Sequence, residues 1–501
     1  MTLFSNPHLV ALPVFIPLLT GVIGLLSYHF SRFQAWLSLM GMALSLACSF
    51  ILLFSIAGTE QPLVFQAGGW IAPFGITLIA DLLSSVFVLM SQLVLVAGVI
   101  YAMGSKDACV SYPTFYPLFL FLATGLTGAL LTGDIFNFFV FVELLAISST
   151  VLTAISDDPY GVEAAYKYFY MSQLAAFFIL LAVGALYVSF GTLNMAHLSV
   201  LVQQSASGMM PSLAIAFLFA AFMIKSATFP FHFWQPDFHT AAPTPVSAML
   251  SSVVVKLGAY GFIRMTTLIF IDNAELIQTL LTVLGIAGIC YGGISAIGTH
   301  NIKRMLAYST LAQVGFILVG IGWGTALSMT AAIIFAFNHS IIKSAMLMLA
   351  GHVASRASIK SASFDIVTGV GRKLPLTGFL FFLGSMGLAG IPPTNGFINK
   401  MMIFKSGIQS GHLYGLILIG LASTFTLIYT MRAFMLIFWQ EPKETIYTKP
   451  KGDLLFAPIA LICLVLVLGL FADPFIELAG ETVNWLNDSQ IYIKAVMGDR
   501  L

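Results

Sequence analysis

Long apolar runs, each near the length that crosses a bilayer, follow one another through the chain. A membrane helix takes about 20 mostly apolar residues. That criterion predicts spans at 9–27, 33–56, 75–102, 113–131, 134–156, 164–190, 211–230, 246–268, 277–297, 305–322, 328–352, 376–405, 413–436 and 454–471, followed by a short tail. Thr132 and Gly133 are nearly the whole connection between the fourth and fifth runs, so other cuts between 113 and 156 merge or split one span. The longest polar stretches, 57–74, 191–210, 353–375 and 437–453, are only loop-sized and leave nucleotide, haem or iron–sulfur chemistry no obvious place. Leu9 to Ser27 has neither a basic flank nor a small-residue cleavage pattern and reads as a retained span rather than a signal peptide.

Composition sharpens this. Of 501 residues, 59% are hydrophobic and 8% charged, where a soluble domain carries about 25% charged residues. A water-soluble globule and a disordered chain are both excluded. Acidic and basic residues nearly cancel, 20 against 21, so no net field recruits nucleic acid. Cys48, Cys109, Cys290 and Cys463 form no paired spacing and read as small buried hydrophobes.

Basic residues concentrate on the more positive, inner side of a membrane protein. With the N-terminus outside, the inner loops hold Arg32, Lys106, Lys303, Arg304, Arg356, Lys360, Arg372, Lys373, Lys443, Lys449 and Lys451. The outer side receives Arg264, Lys405, Lys494 and Arg500, with Glu60, Asp272, Glu275, Asp473, Glu477 and Glu481. Both termini outside, with an even number of spans, is the expectation.

Six basic residues remain within or near the spans: Lys167, Lys225, Lys256, Lys343, Lys400 and Arg432. A charge there costs several kcal/mol unless partnered or hydrated, and such residues mark functional sites. Lys167 and Arg432 also suit long side chains reaching for the interface. Glu143 stands nine residues beyond Asp134, about 13.5 Å along a helix, which puts Asp134 near the boundary and Glu143 deeper. A lysine across a helix interface would stabilise its charged form and let the pair exchange protons as neighbouring charge moves. Asp81 serves equally well as a helix cap or a functional carboxylate.

Two helices look broken. Pro230 follows Lys225, and Pro392, Pro393 and Gly396 precede Lys400. Proline removes a backbone donor, and irregular backbone at membrane depth is tolerated only inside protein or beside water. Each break therefore predicts a hydrated point with a lysine beside it. Corresponding breaks in two halves point to inverted transporter repeats, here 113–268 and 305–436. Between the breaks, His339 and Lys343 share a helix face, and histidine changes charge near physiological pH, so His339 is either a bridge between lysines or a hydrogen-bonded packing residue. His232, His239 and His352 stand near span ends and either open proton paths or face solvent. No histidine–carboxylate spacing suggests a metal.

GGWIAPFGITLIADLLSS, LTGDIFNFFVFVELL, GTLNMAHLS, IKSATFPFHFWQPDFHTAAPTPVSAMLSSVVVKLGAYGFIR, NIKRMLAYSTLAQVGF, FNHSIIKSAMLMLAG and PPTNGFINK occur in that order. With them the chain resembles, over essentially its whole length, the antiporter-like membrane subunits shared by Mrp-type sodium/proton antiporters and proton-pumping NADH dehydrogenases. GGWIAPFGI and GDIFNFFVFVE favour the D-type Mrp branch.

The resemblance implies an all-α polytopic membrane protein of about 14 transmembrane helices with two inverted five-helix repeats, each containing a broken helix. It divides the chain into 1–112 (helices 1–3), 113–268 (first repeat), 269–436 (second repeat) and 437–501 (loop, helix 14 and tail). It implies proton transfer through Glu143, Lys225, Lys256, His339, Lys343 and Lys400, with Asp81, Asp134, Lys167 and His232 as supporting candidates and no catalytic residue or metal ligand. It further implies A, B, C, E, F and G companions, sodium and proton as transported ions, a bacterial inner membrane, and neither cofactor nor quinone site. A redox-driven proton-pumping subunit is the alternative; a structural scaffold and an independent solute transporter fit the buried lysines or the family less well.

Overall fold

The computed structural model describes residues 6–59, 61–156, 158–205, 208–357, 361–441 and 452–498. Glu60, Lys360, Lys443, Lys449, Lys451 and Arg500, used above to argue sidedness, lie outside them. Where no water reaches, each backbone polar group must be satisfied within the protein, and helices do this segment by segment.

The chain opens with α1 (Leu12–Leu26), α2 (Ser31–Thr59), α3 (Leu82–Gly104) and α4 (Phe115–Leu131). Between α2 and α3, strands β1 (Leu63–Gln66) and β2 (Thr77–Ala80) pair antiparallel with Leu63 opposite Ala80, so the stretch 57–74 is not all loop. There follow α5 (Ile135–Ala154), α6 (Pro159–Phe190), α7 (Met195–Gln204), α8 (Met209–Lys225), α9 (Trp234–Ala241), α10 (Thr244–Met249) and α11 (Lys256–Arg264). A π-helical turn, Leu250–Val254, joins α10 to α11, and a second, Met265–Ile269, follows α11.

The remainder is α12 (Ala274–Ile297), α13 (Ile302–Gly322), α14 (Ala326–Arg356), α15 (Phe364–Val367), α16 (Pro375–Ala389), α17 (Asn395–Gln409), α18 (Leu413–Phe434), α19 (Phe456–Leu470), α20 (Asp473–Asn487) and α21 (Ser489–Met497). Among the described residues nine helices are long and apolar enough to cross a membrane, and the α19–α20 pair, bent by 79°, makes a tenth candidate. α1, α4, α8 and α16 are shorter apolar helices. This is an all-α polytopic membrane architecture with one small hairpin.

One expectation changes. The segment read as a short tail carries α20 and α21: α20 buries Ala479, Thr482, Val483 and Leu486, the three-and-four spacing of one helix face, and packs against α14. The run 376–405 is broken where the prolines stand: α16 ends at Gly390, which has φ +80°, and α17 begins at Asn395.

α14 is buried from Ser328 to Ala354, and the stretch from Thr244 to Thr266 is buried as well. It touches α3, α10, α13, α16, α17, α19 and α20. Every polar side chain on α14 must therefore find its partner inside the protein.

Candidate functional site

The second break shows how a buried lysine is held. Gly390 caps α16 in the left-handed conformation, and a Cβ there would meet Lys400 Cδ at 2.7 Å. The last carbonyls of a helix have no partner within it and form its negative end. Lys400 reaches back from α17 and donates to one of them, Ala389 O, at 2.8 Å, with its ammonium 5.7 Å from the Phe316 ring centroid. Gly396 is already helical; a Cβ on it would collide with the backbone carbonyl of Gly387, so the closeness of α16 and α17 depends on it. Pro392 and Pro393 lie in the turn between them. Lys400, Asn399, His339 and Gln313 line one narrow seam.

Lys256 and Lys343 are fully buried, and neither has a carboxylate partner among the described residues. Lys256 Nζ donates to Ser251 O at 3.1 Å. That carbonyl belongs to the π turn just ahead of Lys256, an irregularity of the kind that recurs at functional sites. Lys343 Nζ donates to Leu306 O at 3.0 Å and Ser309 Oγ at 2.8 Å. Ser251 Oγ meets Thr310 Oγ1 at 2.7 Å, and Ser340 Oγ donates to Ser252 O at 2.7 Å, so the π turn is tied to both α13 and α14. The two lysines repel through space, and both act on His339. His339 itself is buried with neither ring nitrogen hydrogen-bonded.

At the first break α8 ends at Lys225. Ala227 takes φ +50°, a left-handed conformation costing an L-residue about 1–2 kcal/mol, and Pro230 stands in the irregular stretch beyond. Lys225 is buried and feels Glu143 through space, but the two form no ion pair within 4.0 Å. Glu143 Oε2 instead accepts from Gln173 Nε2 on α6 at 3.0 Å, while its buried Oε1 has no partner. The closely paired lysine is Lys167, whose Nζ lies 2.6 Å from Glu163 and 2.9 Å from Asp237; Arg304 completes the group at 3.0 Å from Asp237.

Asp81 and Asp134 both cap helices. Asp81 accepts from Ser84 N at 2.9 Å at the start of α3, and Asp134 from Asn137 N at 2.8 Å at the start of α5. Asp81 also binds the buried guanidinium of Arg264, the residue placed above at a span end. The three span-end histidines are buried rather than facing solvent. His232 lies against Phe229 and Tyr291, His239 Nδ1 is 3.2 Å from Ser247 Oγ, and His352 Nδ1 is 2.7 Å from Asp453 O.

Further residues complete the network, most of them not singled out from the sequence. Asp453 accepts from Tyr101 Oη at 2.6 Å and Lys106 N at 2.7 Å, in the wall of a polar cleft of about 490 Å³ that also holds Lys303. Arg432 donates to Ile297 O at 2.5 Å and Thr299 O at 3.0 Å, so it caps the end of α12. Asn338 Nδ2 donates to Asn399 Oδ1 at 2.7 Å, and Tyr429 Oη to Ser309 Oγ at 2.7 Å. A buried asparagine or tyrosine in apolar text gives little sequence signal, because its partner lies on a distant helix. Among the described residues no three His, Cys, Asp or Glu side chains cluster as metal ligands.

The family model described as "NADH:quinone oxidoreductase/Mrp antiporter, TM" matches residues 132–426, which contain both breaks and Lys225, Lys256, Lys343 and Lys400. The chain is 32% identical to the D-type member of the Na(+)/H(+) antiporter of Bacillus subtilis, covering 98% of this chain and 99% of that one. It superposes on a chain of the Mrp complex from Dietzia with a TM-score of 0.91, at 26% identity and over 99% of this chain and all of that one. It also matches a chain of the membrane-bound sulfane sulfur reductase, an archaeal respiratory membrane complex, with a TM-score of 0.90, at 27% identity and over 98% of this chain and all of that one. The chain belongs to the family of membrane subunits shared by NADH:quinone oxidoreductases and Mrp antiporters.

Proposed function

We infer that this chain is the D-type subunit of a multisubunit Mrp-type cation/proton antiporter in a bacterial inner membrane, and that it carries the proton. One observation carries the reading: Lys256 and Lys343 are buried without a carboxylate and held by carbonyl and hydroxyl oxygens. Such an arrangement gives little stability, since buried charge is costly even when paired. It suits groups that take up and release protons as neighbouring charge changes.

In this reading Glu143, Lys225, Lys256, His339, Lys343 and Lys400 form the transfer axis, and proton arrival at Glu143 alters the field at Lys225. The nine long helices, the bent pair and the four shorter apolar helices support about fourteen spans in two inverted repeats, 113–268 and 269–436, with both termini outside. A, B, C, E, F and G subunits complete the assembly. Lysines repel sodium, so the cation route belongs at an interface or in a companion subunit.

The test is sodium-dependent proton flux in vesicles holding the intact assembly. Exchange should need the full partner set and no redox cofactor, and full exchange by this chain alone would overturn the division of labour. The near-equal likeness to the sulfane sulfur reductase chain favours a second reading as a redox-driven pump. Flavin and iron–sulfur subunits copurifying with the chain would select it.

A further inference from the structure

Ser309 Oγ receives two donors from two helices. Lys343 Nζ on α14 reaches it at 2.8 Å and the phenol of Tyr429 on α18 at 2.7 Å. All three residues are fully buried. Beyond Tyr429, Thr426 Oγ1 accepts from Gln313 Nε2 at 3.4 Å, and the Tyr429 hydroxyl interacts with both. Gln313 stands four residues after Ser309 on the same face of α13 and lines the seam with His339, Asn399 and Lys400. Polar side chains thus run from Lys343 to the wall of the Lys400 seam. His339, the shorter course along α14, has no hydrogen-bond partner at either ring nitrogen.

A hydroxyl gives one proton and accepts on two lone pairs, so hydroxyls in file accept on one side and release on the other. We propose that Ser309 and Tyr429 are a relay carrying protons between Lys343 and the seam beside Lys400. The proposal rests on the proton-translocating reading above. An N–H bond of the Lys343 ammonium breaks as an O–H bond forms on Ser309. In the observed arrangement Tyr429 donates to Ser309, so both hydroxyls first turn to donate onward; the proton already on Ser309 then passes to the Tyr429 oxygen, and the phenol's own proton leaves through the Thr426 hydroxyl. A water entering the seam delivers it to the neutral amine of Lys400, so one N–H forms for the one broken and nothing is oxidised. The seam is narrow and has to widen to admit that water. Both hydroxyls then turn back to receive the next proton.

The experiment uses the complete assembly in vesicles, with exchange normalised to intact complex. Tyr429→Phe keeps the ring and removes the hydroxyl; Ser309→Ala removes the first oxygen and Ser309→Thr restores it. Each loss should slow exchange by about a hundredfold, the low end of what a missing proton-transfer group costs. Two groups acting in series are non-additive, so the double variant should be no slower than the slower single one, and Ser309→Thr should recover most activity. Near-normal exchange by Tyr429→Phe, losses that multiply in the double variant, or no recovery in Ser309→Thr would each overturn the relay. Absence of sodium-dependent exchange in the unsubstituted assembly would instead overturn the functional reading.

Discussion

Asp81 and Arg264, 183 residues apart in sequence, face each other as a buried two-pronged ion pair, with 2.7 Å from each guanidinium nitrogen to its own carboxylate oxygen. The Asp81 carboxylate also caps α3, while Arg264 Nε donates to Tyr260 Oη at 3.1 Å and its guanidinium lies 5.1 Å from the Tyr492 ring centroid. The pair therefore joins the start of α3 to the end of the Lys256 helix, under α21.

Breaking such a pair strands the surviving charge. Arg264→Leu and Asp81→Leu should each destabilise the protein by about 3–5 kcal/mol, whereas the double substitution recovers most of the loss. Thermal unfolding of the purified assembly checks this. A double variant as unstable as the sum of the singles would show that the two act independently.

Glu143→Ala should abolish most proton-coupled exchange while the complex still assembles, because Lys225 then has no compensating charge acting on it. Gln173→Leu removes the hydrogen bond to Glu143 Oε2 but keeps the charge, so its effect should be the smaller one. Vesicle exchange at matched complex abundance decides; a larger loss from Gln173→Leu would place the critical function in the amide.

Lys225→Arg keeps a positive charge that does not dissociate under ordinary protein conditions. The variant should assemble and exchange poorly from about pH 7 to pH 9, a range where lysine but not arginine can be tuned to lose its proton. Robust exchange across that range would reduce Lys225 to a fixed electrostatic partner of Glu143.

Gly396→Val should prevent normal assembly. Its Cβ collides with the Gly387 carbonyl, a backbone atom that cannot swing aside, and forcing extra atoms into a packed contact costs about 1–3 kcal/mol or more. Valine at Gly480, where nothing lies within 4 Å of an added Cβ, is the control; equal abundance of both variants would refute the close contact.

Much of the candidate site was legible before any fold was known. Lys225 and Lys400 stand out because apolar text makes a lone lysine conspicuous, and Pro230, Pro392 and Pro393 mark irregular backbone wherever they occur. What the lysines bind was not legible. Glu143 read as the partner of Lys225 by charge, yet its hydrogen bond goes to Gln173, a residue with no distinguishing context in α6. Arg264 read only as a span-end residue because its position near a boundary is a local property, while its pairing with Asp81 is not.

Hydropathy and helix breakers act within a few turns of chain, so the sequence by itself determined the membrane class, the apolar segments, the two interruptions and the family motifs. Tertiary structure alone decided that Lys343 and Tyr429 share one serine oxygen, that Asn338 meets Asn399, and that His239 and His352 are enclosed. Those outcomes depend on the rotation and crossing of helices distant in sequence, and a shift of one residue in helix phase, about 100°, would turn each of these side chains away from its partner.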